Sequence, residues 1–328
     1  MSSEDSKIMT VLGPISVDEL GSTYMHEHLV QDSSFLDNDP EKKIDDEETL
    51  TWEMKDTLRA GARTLVDCTC RGMGPQPEKL KRIAENSGMN IIASTGFYRP
   101  IVYPDYVKIS TADELAKMMI DECQNGLEGS DVKPGMLAEF SSHDPNDMAI
   151  DGGVSKDNEK VFRAAARTHI ATGLPITTHC WLGYGADWEI NIFQEEGVDL
   201  SKVVIGHVGI DHPNIHNARY ILSTGVNVGI DGIGYGERDG FKDFFEHEKA
   251  QLVKTFIEWG HIDQITISLD MTRKYHLKKH RGHGFAFLMD CFVPIMIEVG
   301  ITEEQVDHIL IKNPKRILTP AKTNNPSI

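Results

Sequence analysis

Short apolar runs of five to seven residues recur along the chain, each followed by a longer stretch whose apolar positions fall three and four apart. The runs have the length and branched side chains of buried strands, and the stretches between them have the period of helices. The runs fall at residues 23–28, 64–69, 90–94, 135–140, 175–179, 202–207, 226–231 and 264–270. Among the helices, residues 158–172 place Val161, Phe162, Ala165, Ala166 and Ile170 on one face. That pattern stops at Gly173, which suits the left-handed residue that ends a helix. Residues 186–196 stop similarly at Gly197, and residues 246–259, with Leu252, Val253, Phe256 and Ile257 inward, stop at Gly260. Residues 110–130 read as a helix over the third connection, carrying Leu115, Met118, Met119 and Cys123. The segment 33–48 is acidic and polar and reads as an exposed insertion without chemistry.

Strand and helix alternating from end to end predict an α/β fold with a parallel sheet. Eight strands is the number that closes a (β/α)8 TIM barrel. A length of 328 residues alone suggests roughly two domains, but no linker, low-complexity tract or repeat divides the chain. The expectation is one barrel domain over residues 1–328.

Composition matters for what it excludes. Lys and Arg total 33 against 51 Asp and Glu, a formal net charge of −18, which argues against nucleic acid and anionic membrane surfaces as partners. No window approaches the ~20 apolar residues needed to span a bilayer. The first residues, Met1-Ser2-Ser3-Glu4-Asp5-Ser6, are polar with no apolar run behind them, so a cytoplasmic protein acting on a small molecule is expected. Cysteines 68, 70, 123, 180 and 291 are too scattered for a disulfide scaffold. Cys68 and Cys70 read as small buried strand residues.

The candidate chemistry lies at the ends of the apolar runs. His26 and His28 share one face of a strand, because successive side chains alternate. Glu139, His179, His207 and Asp270 each stand at or near the end of a further run. A lone strand-end histidine is more often a hydrogen-bonded core or loop residue. Six ligand-type residues placed alike point to a metal, because a barrel gathers the C-terminal ends of its strands on one face. The other histidines, His143, His212, His216, His276, His280 and His283 among them, take the ordinary reading, though His212 and His276 lie near the site. The connection after the eighth strand is basic, with Arg273, Lys274, Lys278, Lys279 and Arg281, and Lys242 follows the seventh. In barrels these two loops often build a phosphate site. Tyr98 ends the third strand, and Trp181 and Tyr184 follow His179 as candidate pocket walls.

These residues carry a resemblance. The segments Gly13-Pro14, Tyr24-Met25-His26-Glu27-His28, Leu65-Val66-Asp67 and Thr95-Gly96-Phe97-Tyr98 resemble the phosphotriesterase family of the amidohydrolase superfamily, which includes phosphotriesterase-like lactonases. So do Ala164-Ala165-Ala166-Arg167, Gly173-Leu174-Pro175-Ile176-Thr177-Thr178-His179, Ile205-Gly206-His207, Asp270 and Asn313-Pro314. The likeness covers nearly the whole chain.

The resemblance implies a binuclear centre of two divalent ions, zinc by preference, with manganese, cobalt or iron as alternatives. His26, His28 and Asp270 would hold the more buried ion, and His179 and His207 the more exposed one. Glu139 would bridge them where the best-known members have a carboxylated lysine. The implied reaction is lactone opening by a metal-bound hydroxide, with Asp270 as general base or proton shuttle. Tyr98, by its position, reads either as a donor to a lactone carbonyl or ring oxygen or as an aromatic lid over the barrel mouth. Lys242, Arg273 and Tyr275 resemble the set with which some lactonases of the family hold a phosphorylated sugar lactone. An acyl-homoserine lactonase, a phosphotriesterase or phosphodiesterase, and a non-catalytic metal-binding barrel remain as alternatives. One departure weakens the phosphotriesterase reading. Position 210 is isoleucine where several members have a relay aspartate, and the seventh strand ends Ile230-Asp231-Gly232 without the partner histidine. Family members are often dimers, so the resemblance also allows a homodimer.

Overall fold

Strands covered by helices on one side and packed into a barrel on the other are buried on both faces, and the apolar runs meet that demand. The structure, a computed structural model, describes residues 7–143, 155–240, 242 and 245–323. Its barrel strands are β1 (Ser22–Glu27), β2 (Ala62–Asp67) and β3 (Asn90–Ile92, resuming at Ser94–Thr95). They continue with β4 (Met136–His143), β5 (Ile176–Cys180), β6 (Val203–Gly206), β7 (Asn227–Ile230) and β8 (Ile265–Ile267). All pair in parallel and in sequence order, with β1, β2 and the first part of β3 in one sheet and the second part of β3 through β8 in another. The chain is an α/β TIM barrel.

The seam between β8 and β1 closes by side chains. Among the described residues no backbone ladder joins these two strands. Instead the His26 amide donates to Ser268 Oγ at 2.7 Å, and Glu27 accepts from the amides of Leu269 at 2.7 Å and Met271 at 3.2 Å.

Helices α1 (Glu47–Ala60), α2 (Pro77–Ser87), α3 (Ala112–Asn125) and α4 (Lys156–Thr172) cover the first connections. Then follow α5 (Ala186–Glu196), α6 (Ile215–Ser223), α7 (Glu246–Glu258) and α8 (Val293–Glu298). Glycines 173 and 197 take left-handed angles at the ends of α4 and α5, as their positions predict. The main core lies between strands and helices. A smaller one fills the barrel with Met25, Val66, Cys68, Ile92, Ala138 and Val204, capped by Ile8 from the hairpin Lys7–Thr10 and Gly13–Ser16. The strands begin at that end, so the other end is left for the site. No helix among the described residues is long and apolar enough to cross a membrane.

The acidic segment after β1 departs from expectation. Gln31–Asp32 pairs antiparallel with Lys43–Ile44, and the turns Ser34–Leu36 and Pro40–Lys42 lie between them. Two of its carboxylates are matched internally, Asp32 bonding Lys43 at 2.8 Å and Asp37 bonding Lys42. Thus organised, it folds back over the barrel mouth instead of standing free.

Candidate active site

Period-two alternation aims His26 and His28 toward the barrel axis and Glu27, between them, away from it. Both imidazoles and the Glu139 carboxyl are buried. Glu139 lies inside β4, which runs past its expected end. His207 and Asp270 follow their strands at φ +59° and +56°, left-handed angles that turn their side chains inward. Two glycines make room. A Cβ on Gly206 would stand 2.1 Å from the Thr178 carbonyl oxygen, and one on Gly96 2.3 Å from that of Ala138.

Glu139 is the hub. Its Oε1 lies 3.1 Å from His26 Nε2, 3.0 Å from His179 Nδ1 and 3.3 Å from His207 Nε2. Its Oε2 lies 3.7 Å from His28 Nε2, which is 3.4 Å from Asp270 Oδ1. Two triads, His26 with His28 and Asp270, and His26 with Glu139 and His207, each bring their ligand atoms within 4.8 Å of one another. His179 Nδ1 stands 2.9 Å from His207 Nε2. All six predicted ligands therefore meet at one end of the barrel.

Whether cations fit here is answered by the unspent polar atoms. Both His26 nitrogens, Glu139 Oε2 and His207 Nδ1 are buried without a well-directed hydrogen bond, although His26 Nε2 faces Glu139 and His207 Nδ1 faces Asp231. Each such atom costs about 1–3 kcal/mol, which a bound cation removes. Protonation points the same way. Burial opposes ionisation of Glu139, yet the facing His26 and His179 hold its carboxyl well below the usual range. Burial also opposes charge on His207, but Asp231 and Glu139 raise its pKa well above the ordinary value. His28, where burial dominates, is lowered to about 4. The buried donors of this centre, imidazole and carboxylate, are those of divalent metals.

Four buried residues that the sequence reading left aside hold this centre in place. Asp67 Oδ2 accepts from the amides of Leu29 and Val30, fixing the chain just after His28. Glu27 does the same around Asp270 through its bonds to Leu269 and Met271. Asp231 accepts the His207 amide at 2.9 Å and lies 3.4 Å from its Nδ1. Such outer partners orient metal ligands. Tyr235 donates to the Asp270 carbonyl, lies 3.1 Å from Asp270 Oδ2 and bonds Thr272 Oγ1 at 2.8 Å. A signal existed for Asp231, which ends its run as His207 and Asp270 end theirs. Glu27 was visible only by its place between two ligands.

Above the centre lies a cavity of about 650 Å³ with His28, Glu139, His179 and Asp270 in its floor. Tyr98, Trp181, Arg273 and Tyr275 line its wall, and Tyr98 packs edge-on to His179 at 5.4 Å. Arg99 and Arg238 also line it, as do Asp39, Glu41 and Lys42 of the folded-back segment, none of which the sequence singled out. The basic cluster after β8 is divided. Lys278 and Lys279 turn outward to Asp56 and Asp46 of the α1 region, both at 2.5 Å. Lys242 is exposed and absent from the described lining, where the turn Glu237–Asp239 presents Arg238 and Asp239. Ile210, at the relay position, packs against Tyr235 in the wall. His212 is exposed, His276 is buried with Nε2 2.8 Å from Asp239 Oδ1, and the His143 side chain lies outside the described residues.

The sequence profile of the Phosphotriesterase family matches residues 6–318. The crystal structure of the phosphotriesterase homology protein from Escherichia coli, complexed with phosphate in its active site, is similar with a TM-score of 0.85 and 30% identity, covering 92% of this chain and 99% of that one. A lactonase from Listeria monocytogenes has a TM-score of 0.86 and 27% identity, with 97% and 100% covered. An N-acetyltaurine hydrolase from Danio rerio is 28% identical over 355 residues, 97% of this chain and 99% of that protein.

Proposed function

Because the chain belongs to the phosphotriesterase family and is a metal-dependent hydrolase, we propose that it opens the ring of a small sugar lactone bearing a phosphate. Two divalent cations, zinc by preference, would be held by His26, His28, Glu139, His179, His207 and Asp270. The observation that carries the reading is one cavity with two chemistries. Imidazoles and carboxylates form its floor, and Arg273 with Tyr275 stands in its wall. A substrate spanning both offers a carbonyl to the floor and an anion to the arginine.

Cations on the floor would polarise the carbonyl and bring the pKa of a water toward about 7. Asp270, whose Oδ2 lies 3.1 Å from the Tyr235 hydroxyl, would serve as the proton acceptor on this floor. Tyr98, lining the cavity beside His179, orients the ring oxygen. Lys242 has no part in this reading.

A second reading has support of its own. A relative is named N-acetyltaurine hydrolase, and an arginine wall suits a sulfonate as well as a phosphate. Hydrolysis of an anionic acyl amide therefore stands beside lactone opening. Apolar acyl-homoserine lactones fit a wall of Arg99, Arg238 and Arg273 poorly, and the buried Ile210 speaks against phosphotriesters. The test is a panel of lactones with and without phosphate, N-acyl aminosulfonates and phosphotriesters, run on metal-replete enzyme. Turnover confined to anionic lactones with about two metal equivalents per chain is expected. No lactone opening, with turnover of another class, overturns the lactonase reading.

A further inference from the structure

The segment that the sequence marks as an exposed insertion supplies carboxylates to the cavity wall opposite two guanidinium groups. We infer that Arg238 and Arg273 form a paired anion clamp, and that Asp39 and Glu41 are its built-in counter-ions, holding the guanidinium groups in the wall while weakening anion capture. This rests on the reading that Arg273 receives the anionic end of the substrate.

The pairing is specific. Asp39 Oδ2 lies 4.0 Å from Arg273 Nε, and Glu41 Oε1 lies 3.9 Å from Arg238 Nη2. Glu41 Oε2 accepts the Tyr275 amide at 3.2 Å, pinning the turn Pro40–Lys42 to the β8 connection. Asp39 Oδ1 accepts the Glu41 amide at 3.0 Å and so shapes the same turn. The Arg238 guanidinium stacks on the Tyr275 ring at 3.7 Å, and the Tyr275 hydroxyl donates to Asp239 at 2.6 Å. All of these residues line one cavity.

Both ion contacts are close to 4 Å, longer than the 2.7–2.9 Å of a charge-assisted hydrogen bond. The carboxylates balance the arginines without occupying their donor edges. An anion entering the cavity therefore gains short bonds to either guanidinium but meets repulsion from two fixed carboxylates. A small free anion is held weakly, and a ligand that also engages the floor is held well. The clamp thus discriminates by how much of the cavity a ligand fills, and Arg238 takes the place that sequence gave to Lys242.

The probes are a six-carbon sugar lactone carrying a terminal phosphate and its unphosphorylated parent, added to metal-loaded enzyme. KM is measured, or an inhibition constant where a probe is not turned over. The readout is the affinity ratio, phosphorylated over parent. Asp39→Asn and Glu41→Gln keep the oxygen acceptors that shape the turn and are each expected to raise this ratio about two- to fivefold, the scale of a partly exposed ion pair. The gain should shrink in high salt, which screens exposed charge. Arg238→Met and Arg273→Met should each lower the ratio. If Arg273→Met lowers it but the two carboxylate variants leave it unchanged or reduce it, the counter-ion inference is overturned and the anion-end reading survives. If Arg238→Met has no effect while Arg273→Met does, the paired clamp is overturned. If Arg273→Met also has no effect, the anion-end reading itself falls.

Discussion

On the floor of the cavity, His26, His28, Glu139 and His207 are 1–2% exposed and sit on strands or one residue beyond them. On its rim, the side chains of Arg238, Arg273, Asp39 and Glu41 are between 28% and 64% exposed and sit on or beside short turns. The floor is held by buried carboxylates taking backbone amides, a contact that water does not compete for. The rim is held by ion contacts near 4 Å that solvent screens. On the proposed function, the chemistry that demands fixed geometry falls on the buried floor, and recognition falls on the solvent-screened rim.

The contrast is best broken at its hub. Replacing Glu139 with alanine should lower kcat about 10³-fold or more and reduce bound metal, measured by elemental analysis beside turnover. Retention of both metal and activity would show that the floor does not depend on its central carboxylate. Next in size is Glu27→Ala, which strands the amides of Leu269 and Met271. A loss of roughly 2–6 kcal/mol in urea unfolding is expected, at about 1–3 kcal/mol for each of the two buried unpartnered groups. Tyr235→Phe keeps the ring but removes its bond to Asp270. That change should lower kcat about 10–100-fold with a much smaller change in KM, since outer partners of metal ligands carry effects of that order. The smallest effect belongs to the rim's outer anchors. Lys279→Met, losing its pair with Asp46, should shift stability by no more than about 1 kcal/mol in a thermal melt.

The same contrast explains what could be read from sequence. The barrel and the gathering of six ligand-type side chains were legible because period-two alternation and apolar run length locate the strands, and the strands aim those side chains at the floor. His28, His207 and Asp270 just past their strands and His179 near the end of its own follow from that local rule, and His26 and Glu139 lie inside strands that alternation aims inward. The rim follows from no local rule. Glu41 reaches Tyr275 across 234 residues, and neither segment has a period that announces the other. Lys242 looked well placed by position alone, yet one left-handed glycine, Gly240, at φ +96°, turns the chain after Asp239. The acidity of residues 33–48 suggested exposure because sequence shows charge but not its pairing. Glu27, Asp67 and Asp231 were missed for a subtler reason. Their oxygens bond to backbone amides, which carry no residue-type signature.

The closure between β8 and β1 carries a mechanical consequence. The carboxylate that latches the ring, Glu27, is the residue lying between His26 and His28, and the amides it grips flank Asp270. On the proposed cation site, stripping the ions should unfasten the staves at this joint first, and deuterium uptake at Leu269 and Met271 would register the leak before any other part of the cask loosens.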